Sequence, residues 1–214
     1  LGLKGMNSAG LGMVVNGLVT TRDCFDPTCV PWFLVLRSAI NAENFARTLQ
    51  AVLRAKLAVC GNVMFAHKGG EAIDLEATPG DVGIVHDKDG ILTHSNHFLA
   101  LANRADLTDI FKKFIPNSLF RYHRARRLLA MDTGHIDVAS FRRVFTDHFS
   151  YPDSLCWHIN PNDDIHSHTK TLRSIIMDLT AGAMYLTEGN PCENDYVKLT
   201  PFGAKARAKS KAKA

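Results

Sequence analysis

The chain has 214 residues, 46% apolar and 21% charged, enough for one compact core and too balanced for wholesale disorder. Its net charge of +4 comes largely from the closing stretch "GAKARAKSKAKA", whose Lys205, Arg207, Lys209, Lys211 and Lys213 have no balancing acid. A like-charge block among small residues cannot build a core, so residues 203–214 read as a disordered basic tail and residues 1–202 as one nearly neutral domain, which gives nucleic-acid binding by the domain little support. The odd set of Cys24, Cys29, Cys60, Cys156 and Cys192 contains no C-x-x-C pair, which suggests neither a disulfide framework nor a zinc cluster. Reduced cysteines and the lack of a long apolar run or signal peptide suggest a cytoplasmic protein with no membrane span. The chain opens on Leu1 rather than methionine, which points to a start farther upstream.

In chain order, "GLKGMNSAGLGMVVNGLV" reads as strand, turn and strand. Pro31 opens a helix through about Ile40, and Phe45, Leu49, Val52 and Leu53 set a second over about 42–56. "NVMFAH" and "EAIDLEA" flank the hairpin signal "KGG"; "VGIVH" and "ILTHS" flank "DKDG" and read as a second hairpin. "ADLTDIFKKFI" is a predicted helix ending at Pro116, Asn117–Ser118 a cap for a helix through Met131, and Asp137 a cap for "VASFRRVFTDHF". A polar loop follows over 151–169, then "TLRSIIMDL" and "AMYLTEG" close the chain around Thr180–Gly182. This succession suits an α+β sandwich with sheet inside and helices outside.

"THSNHF" poses the chemical question, because two histidines surround Asn96. In an extended strand His94 and His97 point to opposite faces and cannot readily chelate one ion. In "HSH", His166 and His168 share a face, and a loop metal site with His158 would hold stoichiometric zinc. The solvated loop is favoured, because no cysteine or glutamate stands at ligand spacing. "GMNSAG" is not a nucleophile elbow, since Ser8 is misplaced relative to its first glycine, and Ser8 reads as a turn residue. Nor is "GMNSAGLG" a phosphate loop, for no lysine follows in place. "RYHRARR" reads as a solvated helix with one arginine turned inward rather than a nucleic-acid patch. Asn96 and Asn16, both at predicted strand ends, are either structural amides or donors to a developing oxyanion.

"GMNSAGLGMVVNGL", "VPWFLVLRSAI", "EAIDLEATPG", "THSNHF", "NSLFRYHRARRLL" and "YPDSLC", in that order from about Gly2 to Leu199, resemble the acyl-coenzyme A:6-aminopenicillanic acid acyltransferase (isopenicillin N acyltransferase) family. More broadly they resemble the cysteine N-terminal-nucleophile hydrolases, which include choloylglycine hydrolases and acid-ceramidase-like enzymes. The resemblance implies an αββα sandwich and action on linear amide bonds. It also implies a cysteine exposed as the N-terminus by self-cleavage, its own α-amino group serving as base, and a thioester acyl-enzyme resolved by water or an amine. On this resemblance Asn96 matches the oxyanion-hole asparagine, Asn16 an asparagine lining the same pocket, and Arg121 a site-organising arginine, with His94 and His97 supporting the Asn96 loop.

No cysteine of this chain matches the nucleophile. The expectation is therefore an N-terminally incomplete sandwich: a large fragment, inactive alone, of an amidohydrolase or N-acyltransferase whose cysteine lies upstream of Leu1. Its partner would be a small acyl amide or acyl donor, with no metal or resident cofactor, a coenzyme A thioester as a possible donor, and an open sheet edge that could support a homo-oligomer. The alternative is a noncatalytic binding or assembly module that keeps the sandwich without a nucleophile.

Overall fold

The computed structural model describes residues 4–202. Five antiparallel strands form the first sheet as a meander: β1 (Gly5–Met6), β2 (Leu11–Asn16), β3 (Gly61–His67), β4 (Ala72–Thr78) and β5 (Asp81–Val85), in the order β1-β2-β3-β4-β5. The β1–β2 turn is built by Asn7, whose Oδ1 accepts from the Ala9 and Leu11 amides, and Gly10 takes a φ of 91° there.

Alternation along these strands separates two faces. Met13, Val63, Phe65, Leu75 and Ala77 point one way and pack with Val35, Leu36 and Ala39 of α1 (Trp32–Ile40) and Val52 of α2 (Phe45–Leu53). Asn44 caps α2 by accepting from the Arg47 amide, and α2 is shorter at both ends than the expected 42–56. The opposite face carries Gly12, Val14, Asn16, Met64 and Ala66 toward the rest of the molecule.

The second sheet is three-stranded and antiparallel, with β6 (Ile175–Asp178), β7 (Ala183–Leu186) and β8 (Val197–Leu199) in that order. It meets the first sheet closely: a Cβ on Gly12 would lie 2.8 Å from Cδ2 of Leu179. Beyond it lie α4 (Asn117–Ala130) and α5 (Val138–Phe145), joined through Leu129, Val144 and Ile91, with a single-turn α3 (Phe111–Phe114) before them. Asp137 caps α5, as its position predicts, in a reciprocal capping box with Ser140. Arg142 of α5 lies 4.9 Å over the Tyr196 ring, and Tyr196 donates to Ser174 Oγ at 2.6 Å, tying α5 to the second sheet. The layers therefore run helices, sheet, sheet, helices. No helix among the described residues is long and apolar enough to cross a membrane.

Four expectations are corrected. "ILTHS" is not a strand: β5 pairs with β4, and beyond the Lys88–Ile91 bridge the segment is irregular. Its backbone donors go to side chains instead, Asn96 to Ser118, Phe98 to Asp109, and Leu99 and Leu101 to Glu76. "ADLTDIFKKFI" is helical only at 111–114, because Ile110 donates to the Val19 carbonyl and Asp109 spends its carboxylate on Phe98 and Lys112. Asn117 and Ser118 lie inside the first turn of α4, where neither side chain caps the helix. Finally, a third closing strand, β8, is present; its exposed Val197, Lys198 and Leu199 show no burial alternation to mark it. The basic tail at 203–214 lies outside the described residues.

Candidate functional site

The irregular segment after β5 carries Asn96 against the first turns of α4. Ser118 Oγ accepts from the Asn96 backbone N–H at 2.7 Å and bonds His97 Nδ1 at 2.7 Å. Burial, then the nearby His94 charge, holds His97 below its ordinary pKa, so a neutral ring can accept the Ser118 proton. One turn along the helix, Arg121 Nη2 donates to Asn96 Oδ1 at 2.9 Å. That bond assigns the amide: oxygen toward Arg121, nitrogen toward the Gly17 carbonyl at 3.1 Å. An asparagine NH2 has two hydrogens and Gly17 takes one, leaving a second donor beside the end of β2. Arg121 Cζ lies 5.3 Å from the Trp157 ring centroid, and burial lowers its pKa to about 10, still a cation at neutral pH.

Asn16, at the end of β2, enters a second network on the polar face of the first sheet. Its amide lies 3.4 Å from His94 Nδ1 and 3.5 Å from Asn62 Oδ1. Asn62 in turn donates to both oxygens of buried Asp74 at 2.7 Å. His94 bonds the Ser95 carbonyl through Nδ1 at 2.7 Å and Glu76 Oε1 through Nε2 at 3.0 Å, with Asp74 Oδ2 at 3.8 Å. Burial alone would lower the His94 pKa, but the Glu76 hydrogen bond and the charges of Asp74 and Glu76 outweigh it and raise it. Both ring nitrogens then act as donors, as an imidazolium requires. Burial also pushes Asp74 up to about 6, against the pull of His94 and Asn62. His97 thus supports Asn96 through Ser118, whereas His94, donating from both nitrogens, cannot accept from the Asn16 NH2, whose acceptor is Asn62 Oδ1.

Between the two sheets and α4–α5 lies a mostly apolar cavity of about 440 Å³, lined in part by Val14, Asn16, His94, Arg121, Leu155 and Ile176. Four buried side-chain polar atoms among the described residues have no partner, and three of them, Thr93 Oγ1, Ser95 Oγ and Arg121 Nε, belong to residues lining this cavity. No cysteine lines it among the described residues. Cys60 is held by Thr20, with burial pushing its thiol up to about 12; Cys24 and Cys29 sit in the loop before α1.

The remaining candidates resolve by contact. Ser8 lies in a turn. Of the arginines in "RYHRARR", Arg121 turns inward onto Asn96, while nearer the surface Arg124 donates to both Asp147 oxygens at 2.5 Å and Arg126 to the Ile91 and Lys88 carbonyls. His166 and His168 stay exposed, apart from His158, whose neighbours are His148, Cys156 and Cys192. Cys156, two residues from His158, is therefore a potential ligand partner that the expectation of none at ligand spacing missed. Asp74, Glu76 and Asn62 were also missed; their signal was polar residues at i and i+2 in apolar strands, which face one side together.

The fold is similar to that of a mutant conjugated bile acid hydrolase from Clostridium perfringens, at 13% identity over 92% of this chain and 76% of that one, with a TM-score of 0.57. An R18L variant of the same enzyme gives 13% identity, the same coverage and a TM-score of 0.56. Penicillin V acylase from Agrobacterium tumefaciens follows at 11% identity over 86% of this chain and 62% of that one, with a TM-score of 0.51. These are N-terminal-nucleophile hydrolase folds, and the layered architecture here is of that kind. No curated protein matches the sequence significantly. The sequence itself matches one family along residues 1–193, and the chain belongs to it: the acyl-coenzyme A:6-aminopenicillanic acid acyl-transferase family.

Proposed function

We propose that the chain is the larger part of an amidohydrolase or N-acyltransferase that cleaves linear, non-peptide amide bonds through a cysteine thioester, the cysteine lying upstream of Leu1. The observation that carries this reading is the Arg121–Asn96–Gly17 chain of hydrogen bonds, which fixes the Asn96 amide between Ser95 and Arg121, both lining the cavity, and the residue that follows β2. In this reading the sulfur attacks the amide carbonyl, and the second Nδ2 hydrogen of Asn96 meets the oxyanion as it forms. The amine departs with the proton taken up by the cysteine's α-amino group, leaving a thioester. Water then gives the acid, or an incoming amine gives a new amide; in the transfer direction a coenzyme A thioester is a further acyl donor. β6 supports the upstream placement, for it is an edge strand whose Ile175, Ile176 and Met177 line the cavity. A strand pairing there would bring its side chains into that space.

The test is Asn96→Ala in the polypeptide carrying its upstream segment. Loss of one oxyanion donor lowers kcat by about 10²–10³ with a smaller change in KM; unchanged kcat sinks the assignment. The lack of a cavity cysteine among the described residues also supports a second reading, a noncatalytic module that binds an acyl amide or assembles with a second copy. It predicts binding without turnover even when the upstream segment is present.

A further inference from the structure

Away from the cavity network, four side chains from three parts of the chain converge on one point. His148 follows α5, Cys156 and His158 lie two apart in the loop after it, and Cys192 follows β7. Their ligand atoms all lie within 4.8 Å of one another, the one such group among the described residues. Cys156 Sγ is 3.4 Å from Cys192 Sγ and 3.6 Å from His158 Nε2; Cys192 Sγ is 3.4 Å from His158 Nε2; and the two histidine Nε2 atoms are 3.1 Å apart. A tetrahedron around zinc, built from Zn–S of about 2.3 Å and Zn–N of about 2.0–2.1 Å, has edges of about 3.8 Å between sulfurs, about 3.6 Å between sulfur and nitrogen and about 3.3 Å between nitrogens. Four of the six observed edges fall within about 0.4 Å of these, and the two from His148 to the sulfurs are no longer than 4.8 Å.

Hydrogen bonding among the four does not account for the arrangement. His158 Nε2 faces two sulfurs, the His148 nitrogen and Asn190 Nδ2 at once, more partners than a ring nitrogen with one hydrogen or one lone pair can serve. The surroundings are those of a metal shell. Asn190 Nδ2 lies 3.5 Å from Cys156 Sγ as an N–H donor and is anchored on the Trp157 carbonyl at 2.8 Å. The other nitrogen of His158, Nδ1, has the Glu193 carboxylate nearby, 3.7 Å from Oε1 and just outside hydrogen-bond reach, on the side where a carboxylate commonly stands behind a ligating imidazole.

We infer that His148, Cys156, His158 and Cys192 form a tetrahedral Cys2His2 site for a structural zinc ion. Two thiolates and two imidazoles in a tetrahedron select zinc over harder cations, and four protein ligands leave no open position for catalysis. The ion staples the segment after α5 to the segment after β7. Between two of its ligands sits Trp157, whose ring lies against Arg121, so the staple also positions the residue that orients Asn96.

The 214-residue chain, purified without added metal and dialysed against a weak chelator, is assayed for metal content together with Cys192→Ser and His148→Ala; both ligands are exposed, so these replacements spare the core. One zinc per chain in the parent, falling at least about tenfold in each variant, is the expected result. Cobalt(II) exchanged into the parent provides a readout independent of the variants: intense visible bands of a tetrahedral ion, with thiolate charge transfer in the near ultraviolet. Weak octahedral cobalt bands with no retained zinc overturn the assignment. So does a Cys156–Cys192 disulfide found by mass in freshly isolated protein. Neither readout depends on amide cleavage, so the zinc site can stand or fall apart from the proposed function.

Discussion

The two faces of the first sheet are written by alternate residues of the same strands, yet they do different work. Val63, Phe65, Leu75 and Ala77 meet α1 and α2 in a layer of apolar side chains, with Thr48 of α2 bonded to the Ala39 carbonyl. One residue over, Asn62, Asp74 and Glu76 are as deeply buried, but each is tied to a neighbour: Asn62 to Asp74, and Glu76 to His94 and two backbone amides. The apolar face needs only volume and shape, whereas each buried polar atom of the opposite face needs a partner. Stability of the first therefore yields to cavities, and that of the second to charge state and hydrogen bonding.

The largest effect expected is on the apolar face. Phe65→Ala, at a fully buried position, destabilises the protein by about 3–5 kcal/mol in denaturant titration; a cost near that of a surface substitution would show that this layer is not the core. On the polar face the sharpest distinction is in pH. The folded Asp74 carboxyl titrates at about 6 against 3.8 for the free group, so the folded state holds its proton longer. Its contribution is complete below 3.8 and is lost as pH rises to about 6, on the order of 3 kcal/mol. The His94 pKa is likewise raised, so its contribution is present below 6.5 and disappears as pH climbs through the higher folded value. Asp74→Asn should flatten the first decline; a pH–stability curve indistinguishable from the parent's between 3.8 and 6 would break the account of this face.

Glu76→Gln keeps the shape but removes the charge facing His94, costing about 1.5–3 kcal/mol. It should also move the His94 titration to lower pH, read from the imidazole resonances by NMR. The smallest effect belongs to the loop above: Ser118→Ala, which frees the Asn96 amide and His97 Nδ1 at once, costs about 1 kcal/mol. A cost of several kcal/mol there would make Ser118 a core element rather than a support for Asn96.

This contrast also explains what could be read in advance. The β3–β4 hairpin was legible because "KGG" separates "NVMFAH" from "EAIDLEA", whereas the face of β3 was not, for Val63 to Ala66 are apolar without a break. The Asp137 cap and the β6–β7 turn were local signals and stand in the structure. The segment at 91–95 was misread as a strand because the chain there leaves the sheet for a loop whose backbone donors at Asn96, Phe98 and Leu101 are met by Ser118, Asp109 and Glu76, distant in sequence and invisible to any short window. Asn96, Asn16 and Arg121 stood out through resemblance, and the contact between Asn96 and Arg121 needed the fold. Cys156 and Cys192 looked unpaired for the same reason: 36 residues separate them along the chain and 3.4 Å in space.

The central claim, a thioester mechanism with an upstream cysteine beside Asn96, is tested most directly by intact-mass analysis. The natural protein, isolated from its source, is treated with an activated acyl amide, and the acylated residue is located by peptide sequencing. The account predicts a mass gain of one acyl group on a cysteine that forms the processed N-terminus ahead of Leu1, with Cys24, Cys29, Cys60, Cys156 and Cys192 unmodified. Acylation of any of those five, or turnover by a polypeptide that begins at Leu1, would contradict it.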